Sequence, residues 1–139
     1  MSPRTIFLSR LIGLYYIVAA LCMLLRGRTY VGTVTLLLQD APLMFFIGVV
    51  TLTAGLAMVL AHNLWSSGAL PVIVSLVSWV TVIKGVLFLA LTPDAQSAVF
   101  LKGLRYEDFF YLYASVSLAI GVYLTYGGFR ETLPISAPR

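Results

Sequence analysis

Apolar residues in this chain come in long uninterrupted blocks, separated by short stretches that hold most of the polar positions. A helix crossing a bilayer core needs about 20 mostly apolar residues, and four segments meet that length: Ile6–Leu25, Ala41–Ala61, Ala69–Leu91 and Asp108–Tyr126. Neither a period of two nor a recurring ten-residue alternation runs through them. Backbone groups in lipid must pair within their own segment, so helices are expected rather than the strands of a barrel. The reading is an all-α integral membrane four-helix bundle in one domain, residues 1–139, with both termini on the same side.

Local chemistry marks the helix ends. Asp40 is placed to cap the second helix, and Pro42 falls in its first turn, where a missing N–H costs nothing. Ser66-Ser67-Gly68 turns the chain, Pro71 opens the third helix, and Thr92-Pro93-Asp94 closes it. Gly127-Gly128 is expected to end the fourth, and the Pro-rich tail from Leu133 is too short to fold alone. The tight hairpin from His62 to Gly68 makes helices two and three antiparallel neighbours. Of the longer connections, Thr29–Gln39 carries Val31, Val34 and Leu36 to Leu38 and should lie in the membrane interface. Ala95–Glu107 mixes Phe100, Leu101 and Leu104 with Lys102 and Arg105, the pattern of a short interfacial helix.

Composition removes the soluble alternative. Hydrophobic residues make up 60% of the chain and charged residues 10%, with a mean hydropathy of +0.99; a soluble domain carries roughly a quarter charged residues. The net charge of +4 does not point to nucleic acid, because the basic residues sit singly at block edges, where orientation and lipid anchoring place them. The first block has the basic start of a signal peptide. Its apolar run is too long, however, and Arg26-Gly27-Arg28 stands where a small-residue cleavage site would be, so it reads as a retained helix.

Let face A hold the termini and the His62 hairpin, and face B the two longer connections. Arg4, Arg10, Arg130 and Arg139 fall on A; Arg26, Arg28, Lys102 and Arg105 fall on B, with Lys84 tipping the balance slightly toward B. The acids lean the other way: Asp40, Asp94, Glu107 and Asp108 are on B and only Glu131 on A. Acids count for little in the positive-inside rule. The termini are expected to be cytoplasmic, and so near a tie also fits dual insertion and antiparallel dimers.

Lys84 is the sharpest candidate. It lies about seven residues, or roughly 10 Å at helical rise, from the face B end of its helix. A lysine at that depth needs a partner, water, or a stem that snorkels to the interface. Asp40, Glu107 and Asp108, each expected to begin a helix, are the available acids. His62-Asn63-Leu64-Trp65 forms a second candidate. The histidine has the chemistry of a proton carrier or metal ligand, while His and Asn also suit exposed helix-end carbonyls and Trp suits the interface. A metal site or a catalytic centre is not expected. Cys22 and His62 are roughly 20 Å apart along the membrane normal, too far for a dyad, and no HExxH, paired-cysteine or phosphate-loop pattern occurs. An acid-free first helix argues against a proton-coupled exporter built on a first-helix glutamate.

Small residues give the remaining pattern. Gly48, Thr51 and Gly55 share a face of helix two with His62; Ser75, Ser78 and Gly85 line helix three; Ala114, Gly121, Thr125 and Gly128 line helix four; Gly13 and Ala20 mark helix one. Such stripes let helices approach closely in lipid, and together they are expected to pack one bundle. His62-Asn63-x-Trp65, followed by Trp79, Lys84-Gly85 and Pro93, resembles a group of small four-helix bacterial inner-membrane proteins with no assigned activity. The likeness spans about residues 62–93, and Ser78 stands where that pattern has glycine before the tryptophan. It implies a bacterial membrane address and singles out His62, Asn63, Trp65 and Lys84. The expected function is a non-enzymatic interaction or accessory subunit, associating with other membrane subunits or with itself. A small transporter or channel using Lys84, and a lipid- or quinone-binding protein using the Trp79 and Lys84 region, are the alternatives. The chain itself is expected to need no cofactor, although bound lipid, or a pigment or quinone at a neighbouring subunit, would be compatible.

Overall fold

The computed structural model describes residues 2–65 and 68–130. Ser66, Ser67, Glu131 and the tail with Arg139 lie outside the described residues, as do the readings made for them. The described residues are helical, with no strand. They form α1 (Pro3–Arg26), α2 (Arg28–Gln39), α3 (Ala41–Ala61), α4 (Ala69–Ala90), α5 (Pro93–Ser97), a π-helical segment (Ala98–Gly103) and α6 (Phe110–Arg130). α1, α3, α4 and α6 are long and apolar enough to cross a membrane.

The helix starts follow local rules. Ser2 caps α1, its Oγ accepting from Thr5 N at 3.2 Å, with Pro3 at the first helical position. Asp40 Oδ1 accepts from Leu43 N at 3.0 Å and caps α3. α4 ends at Ala90, just before the Thr92-Pro93-Asp94 segment expected to close it, and Thr92 also caps the short α5 through Ala95 N at 3.4 Å. The connection Thr29–Gln39 is wholly helical within α2, which starts after Gly27 at φ +54°, a left-handed conformation that glycine adopts without a Cβ penalty.

Two boundaries in the fourth span differ from expectation. Glu107 and Asp108 lie in the turn before α6 rather than beginning it, and Asp108 pairs with Arg105 at 2.8 Å. Gly127 and Gly128 do not end the helix, which runs on to Arg130. Their low helix propensity costs roughly 1 kcal/mol each, and tertiary contact offsets it. A Cβ at Gly128 would sit 3.0 Å from Arg10 Cγ, and one at Gly127 would collide with Leu70. Arg10 then closes this helix end, its Nε donating to Gly128 O at 2.8 Å while the guanidinium lies 4.5 Å from the centre of the Phe129 ring.

The small-residue stripes work in pairs rather than around one shared axis. α1 packs along α6, and α3 packs along α4. In the first pair Gly13 abuts the Gly121 carbonyl and Gly121 abuts Ile17; in the second, Gly55 abuts Val82, Gly85 abuts Leu52, and Gly48 abuts Leu89. Ser78 is fully buried and returns its hydroxyl to Val74 O at 2.7 Å.

The pairs meet at the end where α1 starts. There Leu8 and Ile12 of α1, Leu70, Val74 and Val77 of α4 and Leu124 of α6 form one core. Although Met44 of α3 and Leu38 of α2 are also buried at the opposite end, the apolar cluster there is built from α1, α2 and α6, with Met23, Val31, Phe110 and Ala114 packed by Tyr30 and Tyr106. α3 and α4 have no part in it.

Candidate functional site

The hairpin motif is a network of mutually satisfied polar groups. His62 ends α3 and is 4% exposed. Its Nε2 lies 3.2 Å from Pro71 O in α4, and its Nδ1 lies 3.2 Å from Thr5 Oγ1 in α1. A carbonyl only accepts, so in the neutral ring Nε2 carries the proton and Nδ1 accepts from the Thr5 hydroxyl. Thr5 Oγ1 is then free to accept from Ser2 Oγ, 2.7 Å away. One imidazole thus ties three helices at the place where the two pairs meet.

The neighbouring residues complete the closure. Ser75 Oγ donates to Leu64 O and accepts from Leu64 N, both at 3.0 Å, so the backbone beyond α3 is clamped to α4. Asn63 Oδ1 accepts from Trp65 Nε1 at 2.7 Å and from Trp79 Nε1 at 3.4 Å, bridging two partly exposed indoles. Both ring nitrogens of His62 and the Asn63 side-chain carbonyl are therefore occupied by protein, an arrangement suited to joining helices. Thr5 had no signal of its own in the sequence, because its partner is 57 positions away.

Lys84 stands apart from that network. On α4 the residues in the core shared with α1 and α6 are Leu70, Ile73, Val74 and Val77, and Lys84 follows Val77 by seven positions on the same stripe. There it is exposed, since the core at that end excludes α4. Its Nζ lies 5.9 Å from the centre of the Phe88 ring. The acids expected to pair with it do other things. Asp40 caps α3, Asp108 pairs with Arg105, Glu107 is exposed in the turn, and no carboxylate among the described residues comes within 4.0 Å of the ammonium. His62, Asn63 and Trp65 follow α3 beside the start of α4, and Lys84 stands six residues before the end of α4, so the four do not form one site.

Gln96 is a further polar residue that sequence reasoning missed. It is 2% exposed, and its Nε2 donates to Phe88 O and Leu91 O, both at 3.0 Å, capping the end of α4 from beyond the chain reversal. The only sequence signal for it is a glutamine soon after a helix-ending Thr-Pro.

The aromatic core at the far end has a pH signature. Tyr106 stacks on Tyr113 at 5.7 Å and meets Phe110 edge-on at 6.1 Å, and Tyr113 donates its hydroxyl to Leu104 O at 2.8 Å. Burial, reinforced by Tyr30 and Tyr113, pushes the Tyr106 phenol up to about 12. A pKa raised on folding makes the folded state hold its proton longer than the unfolded chain. Stability from this source is therefore intact below about pH 10 and declines between about 10 and 12. Titrating thermal unfolding across that range should show the decline, and Tyr106→Phe should make it shallower. An identical profile in the variant would remove Tyr106 as its cause.

Among the described residues no three His, Cys, Asp or Glu side chains are grouped to hold a metal ion. Comparison with protein-family models, curated proteins and solved structures gave no match.

Proposed function

We propose that this chain is a non-enzymatic membrane subunit of the bacterial inner membrane, with cytoplasmic termini, that docks other membrane subunits through the α4 face bearing Lys84. One observation carries the reading: Lys84 is exposed on a membrane-length helix, six residues from its end, with an aromatic face beside it and no carboxylate within 4.0 Å among the described residues. At roughly 9 Å of depth an ammonium is costly unless paired or hydrated. A carboxylate on a neighbouring span would supply that pairing. The polar hairpin supports the same reading, since its groups are already committed to holding helices together.

Extraction in mild detergent followed by native mass measurement tests it. The wild type should carry a second membrane chain that Lys84→Met releases and Lys84→Arg retains, while the variants insert and fold normally. A lone monomer under every condition, or a complex indifferent to Lys84→Met, would count decisively against it. Flux in liposomes that disappears in Lys84→Met would instead favour a small homo-oligomeric transporter or channel.

A further inference from the structure

The seam between α1 and α3 holds an open groove. Phe7, Leu8 and Leu11 from α1 face Ala54, Ala57 and Met58 from α3 across a groove of about 610 Å³. Both sets repeat at helical spacing, so each is a continuous stripe. The gap arises because α3 presents alanines, whose side chains are too short to reach α1. Toward the start of α1 the groove runs into a second hollow of about 380 Å³ with a polar lining, Ser2, Arg4, His62 and Asn63; Pro3, Arg4 and Ala61 border both. The two together are apolar along the helices and polar at the helix ends.

Arg4 gives this mouth its charge. It is exposed in the first turn of α1, which contains no acidic residue. The helix macrodipole already places partial positive charge there, so a cation at this position is disfavoured and an anion favoured. The His62 ring nitrogens and the Asn63 carbonyl are bonded within the protein, and the Thr5 and Ile6 amides are taken by Ser2, leaving the Arg4 side chain to answer a ligand.

We propose that the groove holds one acyl chain of an anionic phospholipid, with the headgroup phosphate at Arg4. The combined shape, an apolar slot ending in a cationic mouth at the level of the helix ends, matches an anionic lipid in its ordinary bilayer orientation. An acyl chain gains little hydrophobic free energy by leaving other lipid tails, so selectivity rests on the headgroup. One basic residue near a membrane surface contributes about 1 kcal/mol, which is about a fivefold preference. The proposal rests on the membrane reading and is independent of docking at Lys84, which lies on another helix and toward the other end.

Native mass spectrometry of the detergent-purified chain, offered phosphatidylglycerol and phosphatidylcholine of identical tails in equal amounts, provides the test. The wild type should retain phosphatidylglycerol about fivefold over phosphatidylcholine. Arg4→Gln should bring the ratio close to one, and Ala57→Leu should reduce retention of both lipids by narrowing the slot. Arg130→Gln, whose guanidinium lies over Tyr126 on α6, should leave the ratio unchanged. Equal retention by the wild type, or an Arg130→Gln effect as large as that of Arg4→Gln, would overturn the site. So would an Ala57→Leu variant that sheds a polypeptide in place of lipid. Helicity by circular dichroism, unchanged in Arg4→Gln, confirms that the loss is one of binding. Loss of the Lys84-dependent complex with lipid selectivity intact would indict the docking reading alone.

Discussion

Gly85→Val is expected to separate α3 from α4 and to be among the most destabilising single substitutions in the chain. A Cβ at Gly85 would lie 2.5 Å from Leu52 N, 2.6 Å from Leu52 Cα and 2.8 Å from Leu52 Cβ. Two of those atoms belong to a helical backbone, which cannot step aside as a flexible side chain can. Gly55 sits reciprocally against Val82, with N at 2.7 Å and Cγ2 at 2.9 Å. In lipid no hydrophobic force holds two helices together, so the close approach itself supplies the attraction through dispersion. Overpacking a well-fitted core costs about 1–3 kcal/mol, and valine here should reach or exceed the upper figure. Gly13→Val should do the same to the α1/α6 pair, since its Cβ would meet Thr125 N at 2.6 Å and Gly121 O at 2.9 Å.

Thermal unfolding in one detergent, with alanine variants as the milder series, measures this. Gly55→Ala and Gly85→Ala disturb one interface and should combine non-additively, whereas Gly13→Ala and Gly85→Ala disturb different pairs and should add. Gly32 is the control, because a Cβ there meets nothing within 4 Å. Gly32→Ala should be neutral or stabilising by up to about 1 kcal/mol from helix propensity. If Gly32→Ala and Gly85→Ala cost the same, the close-approach account is wrong.

The second large effect is expected at His62. His62→Ala removes two buried hydrogen bonds that link α3 to α1 and to α4, each worth about 1 kcal/mol, and leaves a void where the pairs join. A loss of about 2–4 kcal/mol follows, once a cavity term is added. Thr5→Val breaks one of those bonds and keeps the volume, so about 1 kcal/mol is expected. In a double-mutant cycle the two should show coupling, because they share that bond. Asn63→Ala should cost least, for its indole partners are partly exposed and water can replace the lost acceptor. An Asn63→Ala variant as unstable as His62→Ala would show that the indole bridge, and not the imidazole, holds the hairpin.

The motif His62-Asn63-x-Trp65 shows how far a sequence can be read here. Its position after an apolar block, and its suitability for a helix end, are visible in four consecutive residues. That Thr5 and Pro71 complete the imidazole's bonding, and that Trp79 shares Asn63 with Trp65, is not visible, because these partners come from other helices. Lys84 repeats the lesson. Its depth follows from counting residues along α4, whereas its separation from Asp40, Glu107 and Asp108 depends on what each of those acids meets locally.

Sequence by itself determined the number and length of the apolar helices and where most of them start. Those properties arise within a few turns of chain: residue count against bilayer thickness, Asp40 capping Leu43, prolines in first turns. Tertiary structure decided which helices pair, why α6 continues through Gly127 and Gly128, where the α1/α3 seam stays open, and that Lys84 meets no acid among the described residues. These outcomes depend on atoms brought together from distant positions, and a stripe of small residues records that a helix can be approached closely without recording by which neighbour.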